Sequence, residues 1–239
     1  MTHSVRVADF LPSVNGFPFP NCYDKGRRFH LFETPFGAVG VADATRGLCG
    51  GMIFTAMDLY YAGVRPVPQS PTDPVFRYFC RRLFTSWGLP FAWVKYWDWQ
   101  MRPMTSTSIA GVTVRDGVSR LTREGEWPRV RAALDRGELT ALGLVKETGL
   151  SPAKLGLNHQ VLAYGYDLND ETGDVTILVY DPNHPCDDTV ALTFNLTDPD
   201  SGTPVTHSIG GPTVRGVFAT EYYPPRRPPL FEEPPGGPM

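Results

Sequence analysis

The chain has no long hydrophobic run, since none of its apolar stretches approaches the roughly 18 residues of a membrane-spanning helix. It also has no excess of charge of one sign, because 22 basic residues oppose 25 acidic ones. A basic surface for nucleic acid or membranes is therefore not expected. Segment 1–16 lacks the three regions of a secretory signal peptide. We expect a cytoplasmic protein that binds neither nucleic acid nor membranes.

Cysteine is scarce, and the four cysteines lie far apart without a CxxC pair. This pattern argues against a disulfide framework and predicts free thiols. Glycine fingerprints for phosphates or dinucleotides are missing too. Segment 184–188 crowds one histidine, one cysteine and two aspartates together, but its spacing matches no common zinc pattern and predicts a solvated loop. We therefore expect no metal and no cofactor.

The chain does have enough apolar material for a core, with 239 residues of which 41% are hydrophobic. Segment 47–63 is apolar on nearly all sides, which is typical of a buried helix. Segment 72–88 combines an Asp-Pro start, an apolar stripe and a glycine exit, and 124–138 is a shorter predicted helix. Cys80 falls inside the apolar stripe, so we expect it to be a core thiol.

Beyond residue 139 the pattern changes to strands rich in β-branched and aromatic residues, separated by turn residues. The predicted strands are 140–146, 159–168, 174–181, 189–196 and 215–223. Helices followed by antiparallel strands predict an α+β fold rather than alternating βαβ units. Residues 1–40 show no sustained period and predict irregular, extended structure.

The end of the chain is rich in proline, with seven prolines in its last 16 residues. Such a segment predicts an extended or disordered tail. We therefore expect one folded domain over residues 1–223 and a tail over 224–239, and the tail offers a route to self-association.

Four of the five tryptophans fall between Trp87 and Trp99. This concentration indicates either a packed aromatic cluster or the wall of an apolar or sugar-like substrate groove. In the second interpretation the side chains that line the cleft are Trp93, Trp97 and Trp99.

Cys49 stands at the predicted start of the buried helix, preceded by Gly-Leu and followed by Gly-Gly. A thiol in the first turn of a helix lies near unpaired N–H groups and the positive end of the dipole, which favour the thiolate. The small neighbours permit another segment, or a substrate, to approach the sulfur closely. The segment by itself nevertheless fits an inert buried cysteine better than a nucleophile.

A second segment changes that balance, because two predicted strands flank a turn-rich loop near Asp170. A symmetric hairpin places His159 directly opposite Asp181. A carboxylate there holds one imidazole nitrogen and leaves the other free as a base, as in a nucleophile triad. A shift by one residue would turn the two side chains to opposite faces. Asn183 is the alternative partner for the imidazole.

Three features together resemble the papain-like cysteine peptidase superfamily, and in particular its bacterial C39-like branch: Cys-Gly at 49–50, His159 opening HQVLAYGYD, and Asp-Pro at 181–182. The resemblance covers roughly residues 40–183. It implies a helical lobe with a central cysteine-bearing helix, packed on an antiparallel sheet. It also implies that Cys49 is the nucleophile, His159 its base and Asp181 the residue that orients His159.

One position departs from the family pattern. The family has a glutamine six residues before the nucleophile, where its amide donates to the oxyanion, whereas this chain has Asp43. Loss of one such donor costs about 10²–10³ in rate. A slow enzyme, an inactive relative, or an enzyme that uses Asn15, Asn21 or Thr45 as donor all fit this change. Alternatively, Asp43 caps the helix of Cys49.

The resemblance implies a thiol-dependent hydrolase, a peptidase or amidase that forms an acyl-thioester. Its substrate would be a peptide, an amide or another acyl compound. Two alternatives stay open from the sequence. One is an acyltransferase that uses the same triad, and the other is a catalytically silent protein that binds ligands through its cleft or tail.

Overall fold

Helices from the first half of the chain pack on an antiparallel sheet built largely from the second half. The structure is a computed structural model that describes residues 1–23, 28–34, 37–43, 48–66, 72–86, 91–149 and 152–227. The sheet is curled, and a few helices pack against it. The expected α+β class is therefore confirmed.

The helices are α1 (Pro12–Asn15), α2 (Cys49–Tyr61), α3 (Asp73–Ser86), α4 (Phe91–Gln100), α5 (Val118–Arg120) and α6 (Trp127–Asp135). α2 and α3 match two of the predicted helices. The third prediction, 124–138, was displaced toward the C-terminus, because the helix begins with α5, continues through a π-helical turn, Leu121–Glu126, and ends with α6 at Asp135. A 3₁₀ turn, Pro152–Leu157, precedes the central strand.

The strands are β1 (Thr2–Arg6), β2 (Arg28–Thr34), β3 (Gly37–Asp43), β4 (Thr107–Ile109), β5 (Val112–Arg115), β6 (Thr140–Val145), β7 (His159–Asn169), β8 (Asp174–Tyr180), β9 (Ala191–Asn195), β10 (Thr206–His207) and β11 (Gly216–Ala219). The main sheet has the order β10-β9-β8-β7-β6-β11, and β1 also pairs with β7. β2–β3 and β4–β5 form two separate hairpins. All five predicted strands are confirmed, as β6 to β9 and β11.

The prediction of irregular structure at the N-terminus was wrong. β1 runs antiparallel to β7, from Thr2 opposite Asn169 to Arg6 opposite Gly165. β6 covers only the first half of that edge of β7, so the second half offers unpaired N–H and C=O groups. β1 satisfies these groups although most of its own side chains are exposed, which is why hydropathy did not reveal it.

α2 lies at the centre of the core, where every residue from Gly50 to Leu59 is buried. Its single buried charge, Asp58, forms an ion pair with Arg82 of α3 at 2.8 Å and accepts hydrogen bonds from the hydroxyls of Tyr78 and Tyr222. Because the carboxylate is fully partnered, it ties α2 to α3 and to the C-terminal segment instead of destabilising the core.

The four cysteines are free thiols, as expected. Cys80 is buried, which confirms its predicted place in the core, whereas Cys22 and Cys186 are exposed. None of the helices in the described ranges combines the length and apolar character needed to cross a membrane. Of the predicted tail, the structure describes residues 224–227, and the remainder lies outside the described residues.

Candidate active site

A β-bulge in the middle of β7 decides which face of the sheet carries His159. Followed from the turn back toward the N-terminus of β7, residues Asn169 to Gly165 pair with β8 in one register. Ala163 and Leu162 pair in a register that is shifted by one residue. A shift by one residue turns all later side chains to the opposite face. The bulge therefore brings His159 onto the same face as Asp181.

The predicted symmetric pairing of the hairpin was wrong in detail. Extension of the observed register beyond the Leu162–Tyr180 pair places Asn183, not Asp181, opposite His159. His159 and Asp181 are diagonal neighbours, a separation that longer side chains span.

The shift has a local cause in the turn of the hairpin. The turn occupies residues 170–173, so its centre lies beyond Asp170. Gly173 adopts a φ of 73°, a conformation that glycine reaches without steric cost. The turn and the bulge together produce the observed register.

His159 and Asp181 are in direct contact. The Nε2 atom of His159 lies 2.7 Å from Oδ1 of Asp181, and the two side chains are only 6% and 3% exposed. Asn183 donates its backbone N–H to the same oxygen at 2.8 Å, and its amide nitrogen lies 3.4 Å from Nε2. Because Nε2 is held by the carboxylate, Nδ1 is the ring nitrogen that remains for Cys49.

Cys49 is the first residue of α2 and is partly exposed. Its sulfur is hydrogen-bonded to the His159 side chain and to the backbone N–H groups of Gly50 and Gln160. Partial removal of the thiol from water opposes its ionisation. The charge of His159 and the three hydrogen bonds outweigh this effect, so the pKa of Cys49 is lowered.

The pKa of His159 is raised and that of Asp181 is lowered, so both shifts favour the charged forms. Burial disfavours a charged His159, but the charges of Cys49 and Asp181 raise the pKa of His159 to about 9. Asp181 is buried too, yet its contacts with His159 hold the pKa of that carboxyl far below its usual range. The lowered pKa of Cys49 and the raised pKa of His159 both favour a thiolate–imidazolium pair backed by the carboxylate.

Two glycines explain how α2 comes so close to its neighbours. A Cβ atom on Gly50 would lie 1.8 Å from the side-chain oxygen of Gln160 and 2.3 Å from the hydroxyl of Ser86. A Cβ atom on Gly51 would lie 2.1 Å from the carbonyl oxygen of Phe79. Only glycine permits this approach, which holds the start of α2 against β7 and α3.

Asn21 connects the start of α2 with the turn after Asp181. Its Oδ1 accepts the N–H of Leu48 at 2.5 Å, and its Nδ2 donates to Oδ1 of Asn183 at 3.2 Å. Its backbone N–H donates to the carbonyl of Pro182 at 2.8 Å. Among the alternative donors named from the sequence, Asn21 is thus at the site.

The other candidate donors differ from Asn21. Asn15 accepts the backbone N–H of Leu11 at 3.0 Å within its own segment. Thr45 and the side chain of Asp43 lie outside the described residues. The backbone of Asp43 ends β3, opposite Arg28. The N-cap residue of α2 is Leu48, so Asp43 does not occupy the capping position.

The part of the aromatic run that the structure describes is mainly packed core. Trp99 is buried, with its ring centre 5.3 Å from that of Phe218 in an edge-on contact. Tyr96 packs on the same ring and donates its hydroxyl to the carbonyl of His159 at 3.1 Å. Tyr96 thus contacts the strand of His159, and both side chains are buried instead of forming an open wall.

The two remaining tryptophans of the proposed cleft also belong to α4. Trp97 is half-buried. For Trp93 the structure describes the position in α4, and the side chain lies outside the described residues. The interpretation of α4 as a packed aromatic helix therefore fits Trp99 best.

Two basic residues at the site were not predicted from the sequence. His207, on β10, lies with its Nε2 3.3 Å from Oδ2 of Asp181. Lys146 follows β6, whose Leu144 pairs with His159, and its charge interacts with those of Asp181 and Cys49. Partial burial lowers the pKa of Lys146 despite these charges. No sequence signal linked either residue to the triad, because His207 lies on β10 and Lys146 follows β6, both outside the hairpin of His159 and Asp181.

Within the described ranges, no group of three or more His, Cys, Asp or Glu side chains is arranged to hold a metal ion. Comparisons with protein-family models, with curated proteins and with solved structures found no match to this chain.

Proposed function

We propose that this protein is a thiol-dependent hydrolase, a peptidase or amidase, with Cys49 as nucleophile, His159 as acid and base, and Asp181 as the residue that orients His159. One observation carries the proposal. It is the continuous contact from the Cys49 thiol through the His159 ring to the Asp181 carboxylate, 2.7 Å from Nε2. Nucleophile, base and orienting group are the three parts that covalent acyl transfer requires.

The chemistry proceeds in two halves. The Cys49 thiolate attacks the carbonyl carbon, a C–S bond forms, and the carbonyl electron pair moves to oxygen. The imidazolium of His159 then donates its proton to the leaving amine, and the C–N bond breaks. In the second half, neutral His159 takes a proton from water and the hydroxide adds to the thioester carbon. The C–S bond then breaks, which releases the acid and restores the Cys49 thiolate beside protonated His159.

The start of α2 supplies part of the stabilisation of the oxyanion. The first N–H groups of a helix have no partner within the helix and point outward from its N-terminal end. The N–H of Cys49 belongs to this group, and the helix dipole adds positive potential there. A developing negative charge beside Cys49 is therefore stabilised by the backbone.

The arrangement also supports a papain-like type of fold in this proposal. The nucleophile begins a buried helix, whereas His159 and Asp181 lie at the ends of neighbouring antiparallel strands. The chain order is Cys, His, Asp. The helical part and the sheet meet at these three side chains. An enzyme with a papain-like fold has its active site at this junction.

Alkylation of the purified full chain by iodoacetamide tests the proposal without knowledge of the substrate. At mildly acidic pH we expect Cys49 to react well before Cys22, an exposed thiol, and before buried Cys80, as judged by peptide mapping. His159→Gln should remove this advantage. If Cys49 reacts no faster than Cys22, the proposal is wrong.

A second experiment identifies the reaction. Model amide and ester substrates are incubated with the wild type and with Cys49→Ser, with and without an added amine. Release of free acid by the wild type alone supports a hydrolase. Transfer of the acyl group to the amine in preference to water would identify the acyltransferase that the sequence left open.

A further inference from the structure

A second histidine contacts the carboxylate that orients His159. The Nε2 atom of His207 lies 3.3 Å from Oδ2 of Asp181, while Oδ1 of the same carboxylate contacts His159 at 2.7 Å. The side chains of both histidines are 6% exposed, and that of Asp181 is 3% exposed. The two oxygens of one buried carboxylate thus each lie close to a different imidazole.

The surroundings of Nδ1, the His207 ring nitrogen that does not face Asp181, indicate which tautomer the ring adopts. Its Nδ1 atom is buried and has no hydrogen-bond partner among the described residues. A proton on Nδ1 would be a buried donor without an acceptor, which costs more than leaving a lone pair there. The tautomer with the proton on Nε2 avoids this cost and turns the donor toward Asp181.

His207 lies on a different strand from the hairpin that carries His159 and Asp181. β10 is the edge strand of the main sheet, and His207 pairs with Leu192 of β9. Its side chain reaches Asp181 because the sheet is curled. A contact made from a separate edge strand holds Asp181 independently of the hairpin that carries His159 and Asp181.

We propose that His207 is a positioning residue for Asp181: it donates from Nε2 to Oδ2 and so fixes the carboxylate with Oδ1 toward His159. The inference rests on the proposed function, because it assigns His207 a role only through the triad. Without this contact the carboxylate is held through Oδ1 alone, by His159 and the backbone N–H of Asn183, and its orientation toward the imidazolium is less restricted. The ion pair between Cys49 and His159 then weakens.

Variants at position 207 test the proposal through the pH dependence of Cys49 alkylation by iodoacetamide. The charged groups that face this site are Asp181, His159, Cys49 and Lys146. In His207→Leu we expect the rate at mildly acidic pH to fall by about 10–100-fold, the size of effect known for removal of the outer partner of a metal-bound histidine. The midpoint of the pH profile should move upward, because the imidazolium is less well stabilised.

Two amide variants separate positioning from packing. His207→Gln places an amide nitrogen near the position of Nε2 and should restore most of the rate. His207→Asn reaches only the position of Nδ1 and should not. His3→Gln is the matched control, since His3 forms an exposed pair with Asp170 at 3.1 Å, and it should react like the wild type.

The outcomes distinguish this inference from the proposed function. Wild-type alkylation of Cys49 in His207→Leu would overturn the role of His207 and leave the triad intact. An equal loss in all three variants that follows a lowered unfolding temperature would overturn it as well, by showing a structural role. If Cys49 of the wild type reacts no faster than Cys22, the proposed function fails, and the role of His207 fails with it.

Discussion

His159 Nε2 lies 2.7 Å from Oδ1 of Asp181 but 3.4 Å from the amide nitrogen of Asn183. The carboxylate is thus the closer partner, although Asn183 is directly across from His159 in the extended register. Asn183 supports the carboxylate through its backbone N–H, which any residue except proline can provide. The two positions should therefore respond very differently to substitution.

Substitutions at Asp181 and Asn183 test that difference. Asp181→Ala should lower turnover by roughly 10²–10⁴-fold, because the imidazole loses its orientation and its stabilising charge. Asp181→Asn keeps an acceptor oxygen and should lose less. Asn183→Ala keeps the backbone N–H and should lose least. A larger loss in Asn183→Ala than in Asp181→Ala would contradict the assignment, and thermal unfolding checks that each variant is folded.

The triad should work within a defined pH window. Its lower limit is the pKa of Cys49, which is lowered from its usual value by the charge of His159, and its upper limit is the pKa of His159 at about 9. The pKa of folded His159 is raised above its usual value of about 6.5. The contribution of protonated His159 to the stability of the fold is therefore complete below a pH of about 6.5. This contribution is lost as the pH rises through about 9.

NMR titration of the histidine rings and the pH profile of turnover measure these limits. The His159 signal is identified by its loss in His159→Gln. In Asp181→Ala the upper limit should move to lower pH, because Asp181 is one of the charges that raise the pKa of His159. An unchanged upper limit in that variant would argue against the contact with the carboxylate.

Gly51→Ala should destabilise the protein. The added methyl group meets the carbonyl oxygen of Phe79, a backbone atom that moves only if α3 moves. We expect a loss of about 1–3 kcal/mol in the free energy of unfolding, as for other overpacked sites. Gly125→Ala is the control, since nothing lies within 4 Å of its new methyl group. In a helical segment that change should be neutral or stabilise by up to about 1 kcal/mol. Equal effects of the two substitutions in denaturant unfolding would refute the close approach.

Asn21→Ala should reduce the reactivity of Cys49 by more than it reduces stability. The change leaves the N–H of Leu48 without its acceptor and frees the turn of Asn183. Asn15→Ala removes a comparable side-chain acceptor from the N–H of Leu11 and serves as the control. Each variant should lose about 1–2 kcal/mol in denaturant unfolding, whereas only Asn21→Ala should slow alkylation of Cys49. Equal alkylation rates in both variants would show that Asn21 is purely structural.

Much of the candidate site follows from local sequence. A cysteine at the start of an apolar segment, next to Gly-Gly, predicts a thiol at a helix N-terminus that neighbouring elements approach closely. Likewise, His159 and Asp181 bound a pair of β-rich segments, so a hairpin brings them to the same end of the sheet, although their contact also needs the bulge in β7. Such features depend on residue type and on separations of a few residues, and these are what propensity and periodicity describe.

The sequence by itself thus determined the α+β class, the main helices and strands, and the candidate nucleophile, base and orienting carboxylate. Only the tertiary structure decided the register, because a bulge and an off-centre turn each move the pairing of β7 by an amount that hydropathy does not encode. It also decided the place of β1, which forms where β6 leaves an edge of β7 unpaired. Asn21 and His207 reach the site from segments distant in sequence. Their contacts depend on how the sheet curls and on which buried polar groups still need a partner, and both are properties of the whole fold.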